Sequence, residues 1–391
     1  MAQRTPHSAP RTSHLKRLVP LLLKWYTANA RDLPWRRTRD PYAIWVSEIM
    51  LQQTQVKTVI PFWNRWLGEL PTIQAAAKAP SAKIHKLWEG LGYYTRVRNL
   101  QKAAQVILEQ HDGKFPDKFA DVWALPGIGR YTAGAICSIA FNQPTPILDG
   151  NVIRVLTRIF GISENLKANG TNTHLWQMAE GLVKHSSLIT PHSSPNCSHL
   201  NQSLMELGAL VCTPRNPQCL ICPVQKLCLA FKEGRVNELP NLGKRESATV
   251  RRFIAFVIER NGHFLVRQRP ARIVNAHLWE FPNVEVSGAK QDLPLIFETG
   301  FGVAPGEIVP LVTVKHSITR YRITLEAFLV QLGGTISMGP RSIKIKSGTP
   351  RTHSSGIRGR WKTPLQMQTL AFTAAHKKLA SAAAKSILSG R

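Results

Sequence analysis

Glu48 lies in YAIWVSEIMLQQTQV, a run otherwise rich in Trp, Ile, Val, Met and Leu. At helical spacing Trp45 and Gln52 share its face. On an outer face it would be an ordinary solvated glutamate. Held in a partly apolar pocket its pKa would rise, and it could carry a proton to a leaving group near neutral pH. Asp149 opens the second informative stretch, PILDGNVIRVLTRIFG, just before Gly150 and Asn151. An aspartate there is ordinarily a helix N-cap. One raised carboxyl and one ionised carboxylate also make a glycosidic-cleavage pair. The acid protonates the leaving group, and the carboxylate stabilises an oxocarbenium-like sugar.

Between these carboxylates comes LPGIGRYTAGA, Leu125–Ala135. It is not a dinucleotide loop, because the third glycine is displaced to Gly134 and FADVWAL upstream reads as a helix. No Gly-Lys-Ser/Thr follows, so it is not a Walker A loop. Helix, tight glycine turn and helix remain. Gly127 and Gly129 permit positive φ and close backbone approach. A helix starting near Arg130 would aim unpaired N–H groups at an anion; a plain helix connection would look the same. The chain carries 51 Lys and Arg against 23 Asp and Glu, a net charge of +28. Nucleic-acid phosphate is therefore the leading anion, with an anionic membrane surface as the alternative. A glycosidic pair beside a phosphate-gripping turn suggests N-glycosidic cleavage in DNA.

The third group is CTPRNPQCLICPVQKLC, with spacing C-x6-C-x2-C-x5-C over Cys212, Cys219, Cys222 and Cys228. Four clustered cysteines in a reducing compartment are a metal site. An iron–sulfur cluster and structural zinc both fit the spacing. Cys137 and Cys197 stand outside it.

These residues need a scaffold. Apolar spacings of three and four, broken by Gly and Pro, predict a helical domain over 15–232, after a disordered basic arm at 1–14. LVPLLL near the N-terminus imitates a signal peptide, but six apolar residues are too few, and an amphipathic helix is expected instead. No uncharged run is long enough to span a membrane. Residues 233–249 read as a linker. From 250 the period changes to two. RRFIAFVIERNGHFLVRQRP predicts a hairpin on Asn261-Gly262, and LVTVKHSITRYRITLEAFLV a second strand pair. The expected fold is thus multidomain, an all-α domain followed by an α+β domain at 250–391. A monomer in the cytoplasm, of bacterial type and associated with the nucleoid, is expected.

LPGIGRYTAGA with ILDGNVIRV resembles the helix-hairpin-helix plus Gly/Pro–Asp (HhH-GPD) signature of the endonuclease III superfamily. WVSEIMLQQTQV, LWEGLGYYTR and the cysteine spacing are similar to its MutY-type adenine glycosylase branch. The resemblance covers about residues 15–232 with four separate motifs. It implies a base-excision repair DNA glycosylase that flips adenine out of 8-oxoguanine:A or G:A mispairs in double-stranded DNA. Glu48 would protonate adenine, and Asp149 would stabilise the cationic sugar, with Tyr131 and Asn151 beside them. Gln53 and Tyr93 would wedge into the duplex, although a tyrosine pair at a helix end also suits core packing. Arg36, Thr54, Arg96, Gly127 and Gly129 complete the DNA-contacting set of this domain. In lyase members a lysine stands at the place of Tyr131, and tyrosine cannot form a Schiff base. A monofunctional enzyme is therefore expected. The cysteines would hold a [4Fe–4S] cluster.

The C-terminal domain resembles the MutT-like (Nudix) domain that this branch appends for 8-oxoguanine recognition. The glutamate-rich Nudix helix is missing after Phe281, so metal-dependent pyrophosphate hydrolysis is not expected. The family's Phe-Ser-His turn corresponds to Ile318-Thr319-Arg320, with Thr319 and Arg320 as the expected contacts. Two alternatives stay open: a catalytically silent lesion-binding module, and a G:T or pyrimidine-directed glycosylase on the same scaffold.

Overall fold

The computed structural model describes residues 12–188, 196–243, 247–288, 291–302, 304–318, 320–332 and 359–388. The chain divides into two compact units, Met1–Ala79 with Arg98–Arg245 and Pro80–Val97 with Glu246–Arg391. Pro80–Val97 thus lies within the helical stretch of the sequence but belongs to the second unit.

The first unit is helical. Helix Thr12–Asn29 carries the apolar N-terminal run, and Leu15, Leu18, Val19 and Leu22 are buried. They share one core with Val152, Val155 and Leu156 of helix Gly150–Phe160 and with Leu200, Leu204 and Leu207 of helix Asn196–Leu210. Each buried aliphatic side chain contributes roughly 1.5–3 kcal/mol, so this core fixes the helix that begins at Asp149. No helix among the described residues is long and apolar enough to cross a membrane.

Helix Pro41–Leu51 begins at a side-chain N-cap. Asp40 accepts from Tyr42 N and Ala43 N at 3.0 and 3.4 Å, and Pro41 takes the first turn. Every side chain from Tyr42 to Met50 is buried, Glu48 included. The helix is enclosed all round, which removes the solvated outer-face reading of Glu48.

The glycine turn joins helix Phe119–Ala124 to helix Arg130–Phe141. Gly127 has φ +77, and a Cβ there would meet the Asn99 side chain at 2.5 Å. Both of the expected glycine roles are therefore met at Gly127. Gly129 corrects the expectation of positive φ: it sits extended at φ −88 as the N-cap of the second helix, without a side-chain cap. Its part is to leave the helix N-terminus uncovered, and Gly127, Gly129 and Arg130 are all exposed.

The second unit contains helix Ser81–Leu87 and a mixed seven-stranded sheet. Its strands are β1 (Thr249–Arg260), β2 (His263–Gln268), β3 (Trp279–Glu280), β4 (Asn283–Val286), β5 (Pro305–Ile318), β6 (Tyr321–Leu332) and β7 (Arg360–Lys362). The order is β3-β2-β1-β6-β5, with β4 on β1 and β7 on β2. Arg260 pairs with His263, and both turn residues have positive φ, 49° at Asn261 and 74° at Gly262. That is the type I′ hairpin the dipeptide announces. β1 runs parallel to β6, from Thr249↔Tyr321 to Glu259↔Gln331, and β5 and β6 pair antiparallel. Alternation along β1 feeds two cores. Ile254, Phe256 and Ile258 pack with Phe297 and Phe301 of helix Leu293–Phe301. Ala255 and Val257 pack with Ala375 and Leu379 of helix Ala374–Leu388. Thr319 and most of the basic loop at 341–361 lie outside the described residues.

Candidate active site

Tyr131 sits in the first turn of the helix after the glycine turn. Its hydroxyl donates to Glu48 Oε2 at 2.8 Å and lies 3.4 Å from Met205 Sδ. Glu48 is 5% exposed. Burial pushes its carboxyl up to about 7; the Tyr131 bond opposes that rise, the Asp149 charge adds to it, and the Arg36 charge opposes it. The group is poised to hold a proton at neutral pH and release it to a neighbour. Burial likewise pushes Tyr131 well above its ordinary value, with the Glu48 and Asp149 charges in the same direction. It is a donor, not a phenolate.

Asp149 is both the cap and a candidate catalytic group. Its Oδ1 accepts from Val152 N at 2.8 Å, and its Oδ2 accepts from Asn151 Nδ2 at 3.1 Å. Burial raises its pKa, while these donors and the Arg154 charge hold it down. Capping spends one oxygen, and Asn151 orients the other.

Behind Asn151 stands Arg154, whose role sequence reasoning missed. Its Nη2 donates to Asn151 Oδ1 and Gly208 O, each at 2.7 Å, and its Nε donates to Cys212 O at 2.7 Å. Arg158, one turn on, is 2% exposed and donates to Cys212 Sγ at 3.4 Å and Thr213 O at 2.8 Å. The signal was available: two arginines four apart on a helix whose other residues seek the core. Gly208 was missed too. A Cβ there would meet Asn151 Cβ at 2.7 Å and its Cα at 3.1 Å. Only glycine lets helix Asn196–Leu210 approach the aspartate's neighbour so closely.

Arg36 does not face outward as a free phosphate ligand. It donates to both Glu206 oxygens at 3.0 and 2.8 Å, and Arg31 donates to the same carboxylate at 2.8 and 2.7 Å. Glu206 is 1% exposed. The two guanidiniums overcome its burial and hold its pKa down at about 2. Arg36 reaches Glu48 only as a charge.

Just past the Glu48 helix, Gln53 is exposed with φ 57, an uncommon left-handed backbone for a non-glycine residue. Gln52 Nε2 donates to Thr132 Oγ1 at 3.5 Å, and Thr54 Oγ1 to Gln52 O at 3.4 Å. The corner presents Gln53 to solvent while its neighbours hold the turn.

In the second unit, Tyr93 is 45% exposed at φ 48, between Gly92 (φ 71) and the buried Tyr94. Of the tyrosine pair, the first projects and the second fills the core. Arg96 braces this loop. Its guanidinium lies over the Trp88 and Tyr93 rings at 5.4 and 5.5 Å and donates to Leu91 O and Gly92 O at 3.0 and 3.2 Å. Arg320 lies at the β5–β6 tip, over the Tyr321 ring at 5.3 Å.

The four clustered cysteines line one pocket with Val155, Ile159, Val224 and Phe231. None is in a disulfide. Burial pushes Cys222 up to about 12, with the charges of Cys212, Cys228 and Cys219 adding to it. Facing thiols in an apolar pocket resist ionising together unless a cationic centre joins them. Four soft donors, apolar walls and Arg158 against one sulfur fit an iron–sulfur group.

Comparison with known proteins agrees with this geometry. Residues 46–180 match the HhH-GPD superfamily of base excision DNA repair proteins. Residues 212–228 match the iron-sulfur binding domain of endonuclease III, and residues 254–382 match a NUDIX domain. The adenine DNA glycosylase of Rattus norvegicus is 37% identical over 370 residues, covering 80% of this chain and 70% of that protein. The adenine DNA glycosylase of Homo sapiens is 34% identical over 417 residues, covering 92% of this chain and 72% of that protein. The solved structure of a thermostable thymine-DNA glycosylase is 30% identical, with a TM-score of 0.50 over 56% of this chain and 98% of its own. With a helix-hairpin-helix unit, an iron–sulfur loop and a NUDIX domain in one chain, the protein belongs to the adenine DNA glycosylase family of the HhH-GPD superfamily.

Proposed function

We propose that the protein removes adenine paired with 8-oxoguanine, or with guanine, from double-stranded DNA by hydrolysing the N-glycosidic bond. The observation that carries this reading is the Tyr131–Glu48 hydrogen bond on a fully buried helix, with Asp149 close enough to raise the Glu48 pKa. Adenine leaves poorly as an anion. Protonated Glu48 supplies the proton that makes it a neutral leaving group. Charge then develops on the sugar, and Asp149, aimed by Asn151, stabilises it. Gln53 and Tyr93, both exposed at positive φ, suit wedges that replace the stacking lost when the base flips. The uncovered helix N-terminus after Gly129 suits a DNA phosphate.

Cleavage stops at base removal, because no amine stands at Tyr131 and its phenol stays protonated. A [4Fe–4S] cluster on Cys212, Cys219, Cys222 and Cys228 would clip the 212–228 loop into shape; Arg154 and Arg158 tie that loop to the helix that starts at Asp149. The NUDIX domain would read the opposite base, with Arg320 at its β5–β6 tip and its sequence neighbour Thr319 as the expected contacts. The enzyme would work as a monomer on the nucleoid in a bacterial-type cytoplasm, where Cys137 and Cys197, outside the cluster, stay reduced thiols.

Single-turnover assays on duplexes with A opposite 8-oxoguanine, G, C and T test this reading, with and without alkaline work-up. Fast release opposite 8-oxoguanine and G, with strands cut only after alkali, is expected. Thymine release from a G:T duplex with adenine left in place would overturn it in favour of a thymine-directed enzyme, the activity named for the structural neighbour above. No release from any duplex would favour a silent lesion binder.

A further inference from the structure

One buried charge in the second unit has no part in the chemistry above. Glu89 is 9% exposed, yet it is ionised: burial would raise its pKa, and bonds from Lys377, Lys86 and Phe372 N hold it below the usual range. Its Oε2 accepts from Lys377 Nζ and Lys86 Nζ, both at 2.8 Å. Its Oε1 accepts from Phe372 N at 3.1 Å. Lys86 Nζ also donates to Leu370 O at 3.2 Å. Two of the three donors to Glu89 come from chain nearly 300 residues away.

The far side of this contact is stiff. Trp279 N donates to Ala371 O at 2.9 Å, and Thr373 N to Trp279 O at 3.3 Å, which splices residues 371–373 onto β3. Phe372 stacks on Phe281 at 5.9 Å. The near side is a loop with left-handed backbone. Gly90, Gly92 and Tyr93 all have positive φ (113°, 71° and 48°), and Tyr93 projects from its end. A buried ion pair is a poor source of net stability but a good way to specify one arrangement.

We propose that Glu89 is a positioning residue that clamps the Gly90–Tyr93 loop to the β3-linked segment of the C-terminal domain, so that opposite-base recognition in that domain sets the pose of Tyr93. This rests on the mispair reading above. The sheet provides the fixed frame, the 371–373 segment transmits it, and Glu89 hands it to the loop. Arg96 keeps the loop in one shape, and Glu89 decides where that shape stands.

Full-length Glu89→Gln, Lys377→Met and the double variant test the clamp by two readouts. Hydrogen exchange of residues 88–94 without DNA should rise in both single variants. The ratio of adenine release opposite 8-oxoguanine to that opposite G, at subsaturating protein, should fall roughly tenfold, as for losing a hydrogen bond to a buried charge. Release from saturated 8-oxoguanine:A complexes should stay within about twofold, and the double variant should be no worse than Glu89→Gln, since the partners act as one unit. Unchanged exchange overturns the clamp; faster exchange with an unchanged ratio overturns its role in recognition. Should Glu89→Gln fail to fold, Lys377→Met, with Lys377 at the exposed end of the contact, gives both readouts. If the wild type releases no adenine at all, the mispair reading fails, and exchange alone decides the clamp.

Discussion

Replacing Tyr131 with phenylalanine removes one oxygen and should move the pH dependence of the reaction in a counter-intuitive direction. The Tyr131 hydroxyl donates to Glu48 Oε2 at 2.8 Å, and that bond favours the ionised carboxylate. Burial has raised the Glu48 pKa to about 7 against it. Taking the bond away leaves burial less opposed, so the pKa rises further. A hydrogen bond to a charged group contributes about 1.5–3 kcal/mol, and about 1.4 kcal/mol corresponds to one pH unit. At the lower bound the shift is about one unit. Protonated Glu48 is the working acid, so base release should decline as pH rises through about 7 in the wild type and through about 8 in Tyr131→Phe. The assay is single-turnover release at saturating enzyme, from about pH 5.5 to 9. An alkaline limb that stays put, or moves toward acid, would refute Glu48 as the proton donor held down by Tyr131.

Glu48→Gln should stabilise the fold at alkaline pH. The native pKa lies above that of the unfolded chain, so the folded state binds the extra proton and stability falls as pH rises from about 4.5 to about 7. The amide escapes this loss, by up to about 3 kcal/mol, so melting should show a gain at pH 8 and almost none at pH 4.5. Gly208→Ala should displace Asn151, costing about 1–3 kcal/mol of stability and tenfold or more in base release, read by melting and single-turnover assays. Cys219→Ser should lose bound iron, measured by visible absorbance and iron assay, and full iron content would remove Cys219 from the ligand set.

The legible parts of the chain were those where one residue type has one physical use. Asn261-Gly262 announced its hairpin because few residues tolerate two consecutive positive φ angles. Glu48 stood out as a charge in an apolar helix, and enclosure of that helix on all sides explains it. Other groups were ambiguous because a side chain has two ends. Asp149 looked like either a cap or a catalyst, and it caps with one oxygen while Asn151 orients the other. Arg36 read as a DNA contact, yet Glu206, far along the chain, engages it. Gly208 and Glu89 were hidden for the same reason: the contacts that give them their roles, with Asn151 and with Phe372 and Lys377, join residues far apart in the chain. Local spacing carries no record of such pairings, whereas it does record helix faces and turns.

The central claim is that Glu48 supplies the proton for adenine departure. It is tested most directly by quantifying free adenine released in a single turnover from an 8-oxoguanine:A duplex by wild type and Glu48→Gln at equal DNA occupancy. The account predicts full binding and no adenine from Glu48→Gln; adenine release at the wild-type rate would contradict it.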